Sequence, residues 1–169
     1  MAKIHAGHRP ERWTVEEVLE QVLEAPKDAG ELAQTAKAVL RWADGHRPFI
    51  RVLGGRGWSD RSLTMYAGSG RRKGVLTLYA AENGGGPQLE IQLNYMSSMS
   101  PRDFHQARAQ LIAKFRGLGI PRLQADDVFT MERPNVPLSQ LTGGCLESLL
   151  SVIDSWISEV QNSSASAGG

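Results

Sequence analysis

A chain of 169 residues with 41% hydrophobic and 22% charged side chains is long enough to close a hydrophobic core without metal or disulfide support. Its composition excludes wholesale disorder and fibrous structure. A net charge of +1 gives no overall attraction to nucleic acid or membrane, so any such affinity has to come from local charge distribution. The single cysteine, Cys145, cannot form an intrachain disulfide, and it reads as a small buried residue near a helix start. No stretch approaches the roughly 18 consecutive apolar residues of a membrane span, and the first residues lack the apolar run of a secretory signal. The expected setting is cytoplasmic, without membrane contact.

Residues 1–12 read as a polar, flexible leader. Thr14 and Glu17 then form a capping box, with Trp13 placed to staple onto Val18 across it. Val15, Val18, Leu19, Val22 and Leu23 follow at helical spacing until Pro26. A second helix is expected from about Asp28, with Leu32, Ala36, Val39, Leu40 and Ala43 on one face and Gly45 as its C-terminal glycine. The short connection predicts an antiparallel helical hairpin.

The period then changes to two. Phe49–Leu53, Leu63–Ala67, Val75–Ala80 and Gln88–Met96 read as strands separated by glycine-rich turns. Connections this short predict an antiparallel meander. In the fourth strand, Leu89, Ile91, Leu93 and Tyr95 alternate with Gln88, Glu90, Gln92 and Asn94, which predicts one core face and one wet or polar-covered face.

Ser100, Pro101 and Asp103 open a third helix whose stripe is Phe104, Ala107, Leu111, Phe115 and Leu118. Val128–Met131 is a candidate fifth strand and Pro137–Leu141 a helical turn. A last helix spans about 146–160, buried through Leu149, Leu150, Ile153, Trp156, Ile157 and Val160, and a small polar tail over 161–169 reads as disordered. The expected class is α+β: a four- to five-stranded antiparallel meander sheet packed by an N-terminal helical hairpin and two C-terminal helices, in one domain over residues 13–160.

No sequence motif specifies a reaction, and no cofactor or metal is expected. The least random feature is basic. From Arg51 to Lys73 the chain carries Arg51, Arg56, Arg61, Arg71, Arg72 and Lys73 against one acid, Asp60, so the rest of the chain is net acidic. Guanidinium forks on glycine-rich turns suit phosphate, and Trp58 could stack on a base. The plainer alternative is solvated charge protecting hairpins and sheet edges. Glu90, Gln92 and Asn94, on the polar strand face, join the basic loops as candidate contact residues.

Gly68-Ser69-Gly70-Arg71-Arg72-Lys73-Gly74 fails the phosphate-loop pattern and joins strand to strand, so it reads as a hairpin turn. Glu82 and Glu90 bring a metal-dependent hydrolase to mind, but Gln92 stands where such a site would place its lysine. His5, His8, His46 and His105 are dispersed. The favoured expectation is a non-catalytic domain binding an anionic partner, nucleic acid first, through the Arg/Gly turns. A protein-interaction or accessory subunit is the alternative, and a hydrolase the weakest.

Overall fold

A computed structural model describes residues 12–23, 29–56, 61–68, 73–80 and 86–166. Helices α1 (Val15–Leu23) and α2 (Ala29–Gly45) precede strands β1 (Ile50–Gly54), β2 (Ser62–Ala67), β3 (Lys73–Tyr79) and β4 (Gln88–Ile91). Helix α3 (Pro101–Gly117), the single turn α4 (Pro121–Gln124), strand β5 (Asn135–Pro137) and helix α5 (Gly144–Ser166) follow. The five strands pair in chain order, all antiparallel. The class is α+β, with an N-terminal helical pair and C-terminal helices around a meander sheet.

The local start signals act as their chemistry requires. The Thr14 amide donates to Glu17 Oε2 at 2.8 Å and the Glu17 amide to Thr14 Oγ1 at 3.2 Å, which satisfies two amides that the first helical turn leaves without partners. Ser100 Oγ accepts from the Asp103 amide at 3.3 Å, with Pro101 at the first position of α3. The apolar stripes converge on one core. Val18, Val22, Val39, Phe115, Ile153 and Trp156 cluster with Leu63, Met65, Leu76, Leu78, Leu89 and Ile91 from one face of the sheet.

Two ties fix the helices. Trp42 Nε1 on α2 donates to Asp154 Oδ1 on α5 at 2.8 Å, and His46 Nε2 lies 3.1 Å from the same oxygen. Arg61, entering β2, places its guanidinium over the Trp13 ring at 5.9 Å and donates to Gln21 Oε1 on α1 at 2.9 Å. At Gly54 the sheet comes close to the residues before α1: a Cβ there would land on the Trp13 carbonyl oxygen.

Several boundaries differ from the sequence reading. The fourth strand stops at Ile91, and residues Leu93–Ser98 form a 3-10 helix rather than more strand. Val128–Thr130 is a 3-10 turn, and the fifth strand lies at Asn135–Pro137 instead, beside β4. Helix α5 runs on to Ser166, through residues expected to be disordered. Asn, Ser and Ala lack a strong stop signal, and no proline or positive-φ glycine interrupts them. No helix among the described residues is long and apolar enough to cross a membrane.

Tyr95, in the 3-10 helix, is buried edge-on against Trp156 with ring centroids 5.4 Å apart. Desolvation by burial raises its pKa above the usual tyrosine value of 10.0. The folded chain therefore holds that proton at pH values where the unfolded chain has released it. Stability is unaffected below the ordinary tyrosine range and falls as pH rises through it. Alkaline denaturation followed by circular dichroism checks this: Tyr95→Phe should flatten the high-pH loss. Gly54→Ala should cost about 1–3 kcal/mol by overpacking in urea denaturation. Gly117→Ala, with open space around its Cβ, should instead stabilise α3 by up to about 1 kcal/mol.

Candidate functional site

The register sets out the sheet face opposite the helices row by row, because residues paired across antiparallel strands share a face. The middle row is Leu53, Thr64, Thr77, Glu90 and Asn135. On one side of it lie Arg51, Tyr66 and Gly74; on the other lie Ser62, Tyr79, Gln88 and Pro137. The centre of this face is sealed rather than wet. Thr77 is 1% exposed, Glu90 7% and Gln92 8%.

At Thr77 the sealing is done by polar groups that satisfy one another. Thr64 Oγ1 and Thr77 Oγ1 are 3.1 Å apart, and Gln92 Nε2 donates to Thr77 Oγ1 at 2.5 Å. Gln92 reaches Thr77 because Gly74 has no side chain: a Cβ there would collide with the Gln92 amide. Arg133 Nη1 stands 4.0 Å from Glu90 Oε1. Asn135 Oδ1 is buried without a hydrogen-bond partner among the described residues.

This corrects the reading of Glu90, Gln92 and Asn94 as a solvent-facing strand face. Glu90 and Gln92 are buried, and Asn94 is exposed but lies in the 3-10 helix, off the sheet. The same alternation arises whether polar side chains meet water or bond to one another, and the burial of Thr77, Glu90 and Gln92 decides for the second.

The basic residues separate into two groups. In a meander, successive turns fall at opposite ends of the sheet. Arg56 and Arg61 lie at the end where Gly54 meets Leu63, whereas Arg51 and Lys73 lie toward the end where Ile50 meets Ala67 and Ala67 meets Lys73. Arg51 and Arg56 are exposed. Arg61 is engaged by Trp13 and Gln21, as described above, and Lys73 Nζ donates to Ser97 Oγ at 2.9 Å. Trp58, Arg71 and Arg72 lie outside the described residues, as does Glu82. By chain order Arg71 and Arg72 lead directly into Lys73.

The sequence reading passed over Tyr66, a half-exposed aromatic directly opposite exposed Arg51. Its only signal is an aromatic at a polar-face position of a strand, a pattern that edge packing produces equally well. Among the described residues no three His, Cys, Asp or Glu side chains gather in a way that could hold a metal ion. Cys145 is a free thiol in the first turn of α5. Comparison with protein-family models, with curated proteins and with solved structures found no match.

Thr77 is the shared partner of Thr64 and Gln92, so Thr77→Val should leave the buried Gln92 amide unsatisfied. The expected loss is about 1–3 kcal/mol in chemical denaturation. Thr64→Val, at a half-exposed position with one of those bonds, should cost less.

Proposed function

We infer that the protein is a non-catalytic binding domain for an anionic partner, nucleic acid foremost, and that the contact lies at the sheet end carrying Arg51, Tyr66 and Lys73, into which Arg71 and Arg72 lead in the sequence. One observation carries this reading: the register pairs exposed Arg51 with half-exposed Tyr66, beside the strand end that the basic turn enters. A cation next to an accessible ring suits a phosphate and the base beside it. Arg47, exposed in the turn leading into β1, adds a further guanidinium near this end, although Asp44 Oδ1 holds it at 2.7 Å.

Arg61 is removed from the binding set, because it is engaged by α1 and Trp13. Arg56 lies at the far end of β1 and serves as an internal control. Strands of this length separate the two ends by about 15 Å at roughly 3.3 Å per residue.

Fluorescence anisotropy with short single- and double-stranded DNA and RNA across a salt series tests the reading. Wild type should bind at micromolar concentration or better, with affinity falling as salt rises. Arg51→Glu and Arg71→Glu/Arg72→Glu should each weaken binding at least tenfold and reduce its salt dependence. Tyr66→Ala should cost about 1–3 kcal/mol on single strands, and Arg56→Glu should change little. Equal inertness of wild type and variants at low salt would sink the nucleic-acid reading.

A further inference from the structure

Strand β1 is an edge of the sheet, and its backbone shows which groups face outward. The Gly55 amide donates to the Ser62 carbonyl at 2.8 Å and the Gly68 amide to the Phe49 carbonyl at 3.2 Å. Residues of that parity, Arg51 and Leu53, therefore direct their backbone groups at β2, and Ile50, Val52 and Gly54 direct theirs away from the sheet. Two of the outward groups are taken: the Ile50 amide donates to the His46 carbonyl at 3.0 Å, and the Gly54 carbonyl accepts from Arg12 Nη1 at 3.1 Å. Among the described residues the Val52 amide and carbonyl have no partner, nor does the Ile50 carbonyl.

Beside this free edge a groove of about 350 Å³ opens between α1, α2 and β1. Val15, Leu19, Leu40 and Val52 supply its apolar walls, and Lys37, Arg41, Asp44 and Arg47 its charged rim. Asp44 is engaged by Arg47, while exposed Lys37 and Arg41 form no ion pair among the described residues. On the other face of the same strand, Leu53 is 42% exposed next to Arg51.

We propose that β1 is a docking edge for an extended acidic-apolar segment of a partner protein, which adds to the sheet as a sixth strand. Its backbone pairs with Val52 and the Ile50 carbonyl. Side chains on one face enter the groove beside Val52, those on the other cover Leu53, and its carboxylates meet Arg41, Lys37 and Arg51. Strand addition draws affinity from main-chain bonds and specificity from pockets for alternate side chains, and both elements stand side by side here. The charge of the rim selects the occupant: a second copy of this chain would bring two cationic rims together, whereas an acidic segment neutralises one. Docking here does not rest on nucleic-acid binding, although Arg51 is common to both surfaces.

The probe is a short fluorescent peptide repeating Val-Val-Glu-Glu, which sets both residue types on each face of a strand, titrated against the full chain by anisotropy. Three comparisons accompany it: the same peptide N-methylated at alternate backbone nitrogens, a valine–lysine peptide, and the variants Val52→Pro and Arg41→Glu. Proline at Val52 removes an outward amide and leaves the β1–β2 ladder bonds in place. The parent peptide should bind, and Val52→Pro and Arg41→Glu should each weaken it about tenfold or more. N-methylation and the lysine peptide should abolish binding.

Because N-methylation alters only the probe, it keeps the test decisive if Val52→Pro fails to fold by circular dichroism. Absence of parent-peptide binding at millimolar concentration overturns the proposal, and so does equal binding of the N-methylated or lysine peptide. A wild-type dimer in light scattering that Val52→Pro converts to monomer overturns it in favour of self-association. Retention of peptide binding in Arg71→Glu/Arg72→Glu separates this surface from the nucleic-acid reading.

Discussion

A polar residue in the middle of a strand buried on both faces must find its partners inside the protein, and much of this fold is arranged around that need at Thr77. Leu76 and Leu78 on either side point into the helix-covered core and are fully buried, so the strand cannot move outward to wet the hydroxyl. Burying a hydroxyl without a partner costs on the order of 1–3 kcal/mol. Thr64 from one neighbouring strand and Gln92 from beyond the other meet it. For Gln92 to reach across, β3 needs a glycine at position 74; just beyond, after Ile91, the chain turns out of β4.

That turn has consequences further along. The 3-10 helix Leu93–Ser98 carries Leu93, Tyr95 and Met96 into the core, where continued strand would have placed them in strict alternation. It also brings Ser97 within reach of Lys73 at the start of β3. Helix α3 then begins at a Ser100 cap set by local chemistry, and packs through Leu111 and Phe115. One buried hydroxyl thus accounts for a glycine, and the turn after β4 seats a lysine that a reading by charge alone would assign to solvent.

The legible parts of the fold were those whose signal is local. The Thr14–Glu17 box, the Ser100-Pro101 start, the helical stripes and the turn glycines each work within a few residues, and the helices and four of the strands appear where those signals stand. The errors arose where the outcome depends on distant residues. Alternation from Gln88 to Asn94 carries no information on whether the polar side meets water or Thr77. Val128-Phe129 looks as strand-like as Val136, yet only the latter lies against β4, where its neighbour Asn135 pairs with Glu90. The basic run reads as one patch along the chain, but the antiparallel register divides it between two ends of the sheet, and Arg61 becomes a staple to α1 because Trp13 and Gln21 lie beside it.

The same arrangement limits where the sheet can meet anything else. Helices cover one face of the sheet, and on the other the central rows are closed by their own hydrogen bonds. On the sheet, contact surface therefore remains at the perimeter, in the turns at the ends and along an unpaired edge. β1 is the strand where these coincide. Its outward backbone is only partly occupied, its flank opens into the groove beside α1 and α2, and Arg51 sits on it opposite Tyr66. Edge strands invite wrong pairing unless charge or shortness restrains them. A five-residue strand bearing one arginine and an exposed leucine is restrained by both features, yet it keeps the free amide and carbonyl of Val52. Charge guarding that edge would repel a second copy of the chain and admit an acidic segment, so the protection and the proposed selectivity are the same physical property.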